Sequence, residues 1–273
     1  VTGTTVEHSL GTTIVHAVAD GVMTITLNRP EAANALRPDD RDALITLFEQ
    51  ANVDPEVRVV VLRANGRHFC AGADVLRLAG GRTTEKRPLN AMRTILGGAQ
   101  KLVASVLDCT KPVVAAVQGG AAGIGAHLVY ASDLVVAVED AYFAESFVKR
   151  GLVMDGGGAY MLPRRIGMQK AKEMAFFGEK LTAAEALAIG LVNRLVPAAD
   201  LDAAVADYAD RLAAGPTTAI GLTKRLLNDS PDTDRAGSFV AEAMAQELQS
   251  YAHDSTEGVR SFVEKRPTDF KGW

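Results

Sequence analysis

Two short stretches of this 273-residue chain place small residues at the end of an apolar run: Ala71-Gly72-Ala73-Asp74 and Gly119-Gly120-Ala121-Ala122-Gly123-Ile124-Gly125. Glycine reaches positive φ and lets a ligand approach the backbone, and the first turn of a helix leaves N–H groups without partners. Two such helix starts aimed at one point would form an oxyanion hole, able to hold the charged oxygen of an enolate. Taken singly, each stretch reads more readily as turn and packing chemistry. Other chemistries fail on spacing. Leu128 stands where a dinucleotide G-x-G-x-x-G would need its last glycine, and neither G-x-x-x-x-G-K-[ST] nor G-x-S-x-G occurs.

The elements around these loops alternate strand and helix. Val22 to Leu27 alternates strictly in polarity, as a half-buried strand does, and ends at Asn28-Arg29-Pro30. A helix is expected after Pro38-Asp39-Asp40, with Leu44, Leu47 and Phe48 inward. Val57 to Leu62 is β-branched and mostly apolar, and Val113 to Val117 and Leu134 to Val138 are apolar throughout, as strands covered on both faces are. A turn at Asn65-Gly66 precedes the first glycine loop, and the second one opens a helix through His127 and Leu128. Gly80 to Pro88 reads as a mobile surface segment, and 89–107 as one long helix. Spacings of about 20 to 55 residues between strands predict a wound α/β core with parallel pairing rather than a hairpin meander. The first ten or so residues read as frayed. After Pro197, Asp200 to Ala213, Pro216 to Leu227, Thr233 to Ser250 and Ser255 to Glu264 predict amphipathic helices without strands. The expected organisation is therefore a core at 1–197 and a helical region at 198–273.

Composition narrows the partners. With 48% hydrophobic and 23% charged residues the chain can build an ample core. A net charge of −4 argues against nucleic acid. No apolar run reaches the ~18 residues that span a bilayer, and the Thr-rich start is unlike a signal peptide, so a cytoplasmic location is expected. Cys70 and Cys109 lack metal-ligand spacing; buried free thiols are expected and no metal.

In order and spacing, Asn28-Arg29-Pro30, Asn34-Ala35-Leu36, Phe69-Cys70-Ala71-Gly72-Ala73-Asp74 and Lys111-Pro112-Val113-Val114-Ala115-Ala116-Val117-Gln118-Gly119 resemble the enoyl-CoA hydratase/isomerase (crotonase) superfamily. The likeness continues through Gly151-Leu152-Val153, Leu162-Pro163-Arg164, Ala184-Glu185-Ala186, Gly190-Leu191-Val192 and Phe262-Val263-Glu264-Lys265-Arg266. It implies an α/β, crotonase-like spiral of ββα units with a C-terminal helical trimerisation region, in a homotrimer or a dimer of trimers. It implies an acyl-CoA thioester as substrate, coenzyme A being part of that substrate and no separate cofactor being required. The backbone N–H groups of Ala73 and Ile124 would form the oxyanion hole. Ala33, Ala71, Gly72, Asp74, Gly123, His127 and Phe147 would lie along the bound substrate, with Phe262 and Lys265 reaching the coenzyme from the C-terminal region. The 76–92 stretch would line the acyl tunnel. Where many relatives carry a basic residue before the Asn34 position, this chain has Ala32-Ala33.

The same resemblance bears on the proton. The two glutamates that hold water in well-known hydratases fall at His127 and Phe147, and phenylalanine transfers no protons. Asp155, before Gly156-Gly157-Gly158, matches the carboxylate of isomerase-type members, which also carry Phe-Val-Lys as in Phe147-Val148-Lys149. It would take a proton from C2 of the acyl group and return it at C4. Glu145 is a second candidate on the same wall. Three functions remain open at this point: isomerase by Asp155, hydratase with a non-standard water site, or non-catalytic acyl-CoA binder.

Overall fold

The computed structural model describes residues 6–9, 12–74 and 89–273. The expected segment at Gly80–Pro88, the short helix after Asp74 and most of the 76–92 stretch lie outside the described residues. Chain reversal begins at Asp20-Gly21, both at positive φ (50° and 80°), which is the two-residue turn that matches strand twist. It joins β2 (Ile14–Ala19) to β3 (Val22–Leu27) in antiparallel register, and β1 (Val6–Ser9) pairs along β2. The sheet thus starts as the meander that strand spacing argued against, and residues 6–9, read as frayed, form a strand. From β3 onward all pairing in this sheet is parallel: β4 (Val59–Ala64), β5 (Val113–Val117), β7 (Leu134–Val138) and β10 (Arg194–Val196) follow in order. β4 starts two residues later than expected, because the Val57 N–H turns back to the Asp54 carbonyl while those of Arg58 and Val59 bond Gly21.

A second small sheet, β6 (Gly120–Ala122), β8 (Tyr142–Ala144) and β9 (Lys180–Thr182), sits beside the glycine-rich loop. Between strands run α1 (Pro38–Val53), α2 (residues 90–107) and α3 (Ile124–Ala131). Proline at the first position starts α1, where its missing N–H costs nothing. Asp40 caps the same turn, bonding Arg37 and the Thr13 hydroxyl (2.6 Å). Burial works against its charge, yet these donors hold its carboxyl at about 2. Within α2 the stretch Ile95–Gln100 widens into a π-helix, a feature often found at functional sites.

Three helices went unforeseen: α4 (Gly158–Ile166), α5 (Met168–Phe177) and α6 (Ala183–Ala188). The last is fixed by a capping box, in which Thr182 and Glu185 satisfy each other's backbone N–H. The four expected C-terminal helices are present as α7 (Leu201–Ala213), α8 (Thr217–Asp229), α9 (Arg235–Ser250) and α10 (His253–Glu264). α7 lays Leu201, Ala204, Val205, Ala209 and Ala213 into the main core. α8 is tied down by Lys224, whose buried ammonium meets Asp133 at 2.8 Å and bonds the Val106 and Lys111 carbonyls. Both cysteines are buried free thiols, and burial pushes Cys70 up to about 12, out of reach of thiolate chemistry at neutral pH. No described helix is long and apolar enough to cross a membrane.

Candidate active site

Three loops run side by side over the ends of the parallel strands. The 33–36 loop is laced to 70–74 by Ala71 N–H to Ala33, Leu36 N–H to Gly72 and Asp74 N–H to Leu36. The 70–72 stretch is laced in turn to β6 by Cys70 N–H to Gly120 and Ala122 N–H to Cys70. Asn34 clamps the group. Its side-chain amide bonds the Asn65 and His68 carbonyls and its oxygen accepts the Arg29 N–H. Sequence reading used Asn34 only as a landmark; its two donors and one acceptor, all satisfied while it is 2% exposed, are what hold the loops together.

This lacing sets where the N–H groups point. Gly72 and Asp74 spend their backbone bonds on Leu36, so strand alternation turns the Ala73 N–H to the opposite side, toward β6 and α3. Ile124 is the first residue of α3, after Gly123 at φ 52°, so its N–H has no partner within the helix. Neither N–H donates to an acceptor among the described residues. The two loops nearly touch: a Cβ on Gly72 would lie 2.9 Å from the Ala122 carbonyl oxygen, and one on Gly125 only 2.4 Å from that of Cys70. Two loops in close contact therefore each carry one backbone donor without a partner among the described residues, as an oxyanion hole requires.

Beside Gly123 and α3, residues 127, 145, 147 and 155 lie near one another. His127 and Glu145, both fully buried, share a hydrogen bond of 3.1 Å between Nε2 and Oε2. Phe147 stacks on the imidazole at 5.7 Å with planes 10° apart. Burial first, then the Glu145 charge, holds the neighbouring Tyr130 hydroxyl well above its ordinary range. The ring can sit here because glycines face it. A Cβ on Gly158 would lie 2.4 Å from His127 Nε2 and one on Gly156 3.1 Å from Nδ1. Gly158→Ala should therefore displace the imidazole, costing about 1–3 kcal/mol of stability and most of the activity. Thermal melts and rate measurements on this variant check both.

Asp155 is half-buried. Its backbone carbonyl takes the Gly158 N–H, but its carboxylate accepts no hydrogen bond from the described residues, so the side chain caps nothing. Burial raises its pKa, while His127 and Arg41 pull in the other direction. The net shift is upward, toward a better base. Arg41 is the residue that sequence reading missed, since a charged residue in the first turns of an amphipathic helix looks like solvated surface.

The remaining expected residues separate into two groups. Ala33, Ala71, Gly72 and Gly123 lie in the laced loops. Asp74 is there too, but its carboxylate is tied to Arg29 at 2.8 Å and points into the loop scaffold. Phe262 stands on α10 with 84% of its surface exposed, and Lys265 ends that helix in the left-handed region. Among the described residues no hydrogen bond or ion pair joins either to the glycine loops. A cavity of about 620 Å³ lies elsewhere, between residues 107–111 and α8, and contains none of the site residues. Arg164 pairs with Asp232 and Arg165 bonds the Tyr130 carbonyl, as structural charges do. Among the described residues no His, Cys, Asp and Glu group could hold a metal.

The family model described as enoyl-CoA hydratase/isomerase matches residues 17–273. The chain belongs to that family, and its architecture is the crotonase fold. It is 36% identical over 260 residues to a Rhodobacter capsulatus protein named "Probable enoyl-CoA hydratase", covering 95% of this chain and 98% of that one. It is 34% identical over 259 residues to the 1,2-epoxyphenylacetyl-CoA isomerase of Escherichia coli K12, with 95% and 98% covered. A crystal structure of an enoyl-CoA hydratase/isomerase from Cupriavidus metallidurans CH34 superposes with a TM-score of 0.89 at 31% identity, covering 96% of this chain and 97% of that one.

Proposed function

We propose that the protein moves the double bond of an enoyl-CoA thioester, with Asp155 as the base that shuttles the proton. Asp155 takes a proton from C2 of a 3-enoyl thioester. The electrons pass into the carbonyl, and the Ala73 and Ile124 N–H groups hold the resulting dienolate oxygen. The protonated Asp155 then delivers the same proton to C4, giving the conjugated 2-enoyl thioester without gain or loss of mass. The observation that carries this reading is the Asp155 carboxylate itself, half-buried, without a hydrogen bond from the described residues and raised by burial. At the two positions where the well-known hydratases hold water between glutamates stand an imidazole and a phenyl ring, stacked on each other. Incubation with a 3-enoyl-CoA, followed by ultraviolet absorbance of the conjugated thioester and by mass spectrometry, tests it. Conversion at unchanged mass supports the isomerase.

One observation favours a second reading. Nδ1 of His127 is buried without a partner while Nε2 bonds Glu145, which is how an oriented general base is built. Gain of one water by a trans-2-enoyl-CoA, lost in His127→Gln, would establish a hydratase using that pair in place of two glutamates.

The same proposal covers assembly as a trimer through the C-terminal helices. α9 has no buried residue, and Val240, Met244, Leu248 and Tyr251 form an apolar stripe 57–81% exposed. A single chain is 28.8 kDa, and light scattering should return three or six times that mass. Met244→Asp with Leu248→Asp should reduce it to one; a wild-type monomer refutes the assignment.

A further inference from the structure

Helix α1 brings a second charge to the wall that carries Asp155. The Nε of Arg41 is buried and donates no hydrogen bond, and the guanidinium makes no ion pair within 4 Å among the described residues. Its head lies on the bare backbone of the π-helical stretch: the position a Cβ on Gly98 would take is 3.0 Å from Nη1 and 3.2 Å from Cζ. The next residue, Ala99, has its Cβ 3.6 Å from the corresponding position on Gly156, which directly follows Asp155. Arg41, Gly98, Ala99 and Gly156 therefore form one chain of close contacts between the guanidinium and the residue that follows the base. The charge of Arg41 is felt at Asp155, yet no hydrogen bond joins them, so the planar fork keeps its donors. A guanidinium with an unsatisfied buried donor is costly to keep unless a ligand completes it, and its geometry suits a carboxylate or carbonyl oxygen.

We propose that Arg41 is a specificity residue, receiving an acceptor oxygen at the far end of the acyl group, so that the site favours oxygen-bearing acyl chains over plain hydrocarbon ones. This rests on the reading above that the acyl group lies over Asp155. An ω-carboxylate and a neutral ω-carbonyl share the required chemistry. Asp155 nearby disfavours a second anion, while the Arg41 charge favours it.

Titration calorimetry with saturated thioesters tests this without turnover: hexanoyl-CoA, its ω-carboxy analogue and its ω-1 keto analogue, against wild type, Arg41→Met and Arg41→Lys. Wild type should bind one of the oxygenated ligands about tenfold or more tightly than hexanoyl-CoA. Arg41→Met should erase that preference, and Arg41→Lys, which keeps the charge without the fork, should retain part of it for the carboxylate only. Equal wild-type affinity for all three ligands overturns the proposal, and so does a preference that survives in Arg41→Met. Because these thioesters cannot isomerise, the result stands whether or not Asp155 is the base. Failure of every acyl-CoA to bind would instead overturn the proposed function, and this inference with it.

Discussion

Asp155→Asn is expected to lower the rate of double-bond migration by about 10²- to 10⁴-fold, the usual contribution of a positioned general base. Affinity for a saturated acyl-CoA should change little, because Asn is isosteric and the loops that hold the thioester do not depend on the carboxylate. The same substitution should raise stability. The folded-state pKa of Asp155 is raised, so the ionised form is disfavoured in the native protein relative to the unfolded chain. Its contribution is fully favourable only below the unfolded value of about 3.9 and is lost as pH rises through the folded value. At pH 7–8 the carboxylate therefore destabilises, and Asn removes that burden. Melting curves should show the variant above wild type at pH 8, with the gap closing toward pH 4. A variant that loses activity and also melts lower at pH 8 would mean that Asp155 serves the fold.

Ile124→Pro should have an effect of similar size by another route. Proline at the first helical position keeps the helix, since its fixed φ suits that site and the N–H it lacks is unpaired there in any case. In the proposed mechanism that N–H is one of the two donors to the oxyanion, so its loss should lower kcat by about 10²- to 10³-fold, or roughly 2.7–4 kcal/mol of transition-state stabilisation. Circular dichroism should show helix content close to wild type. A variant that retains most of its kcat would remove Ile124 from the hole.

How much of this was legible in the sequence follows from which forces act locally. Parallel strands β5 and β7 are announced by unbroken apolar runs, and β4 by the four apolar residues Val59 to Leu62 between Arg58 and Arg63. The four C-terminal helices could be read from amphipathic periodicity alone. The N-terminal hairpin was missed although Asp20-Gly21 is its turn signal, because parallel spacing elsewhere dominated the reading. Strands β6, β8 and β9 are three residues each, too short for any periodicity and held by neighbours rather than by propensity. Helices α4 to α6 begin after glycines or a threonine cap in sequence that looks like loop. At the site, the loops that leave the Ala73 and Ile124 N–H groups without a partner among the described residues were legible, because glycine and helix starts have a fixed physical meaning. Arg41 and Asn34 were not, since their roles come from partners tens of residues away: the Gly98 backbone for one, the Asn65 and His68 carbonyls for the other.

The lacing of 33–36, 70–74 and 120–122 has a further consequence. In the proposed mechanism the donors to the oxyanion hang on backbone that is pinned by other backbone, whereas the groups that would choose the reaction are single side chains at 127, 147 and 155, borne on a helix, a turn and a loop outside that lacing. On that reading, electrophilic activation belongs to a rigid frame, and the fate of the activated acyl group is set by a few side chains mounted around it. Exchanging one of them leaves the backbone lacing in place. A single substitution there would change the chemistry while the grip on the thioester persists.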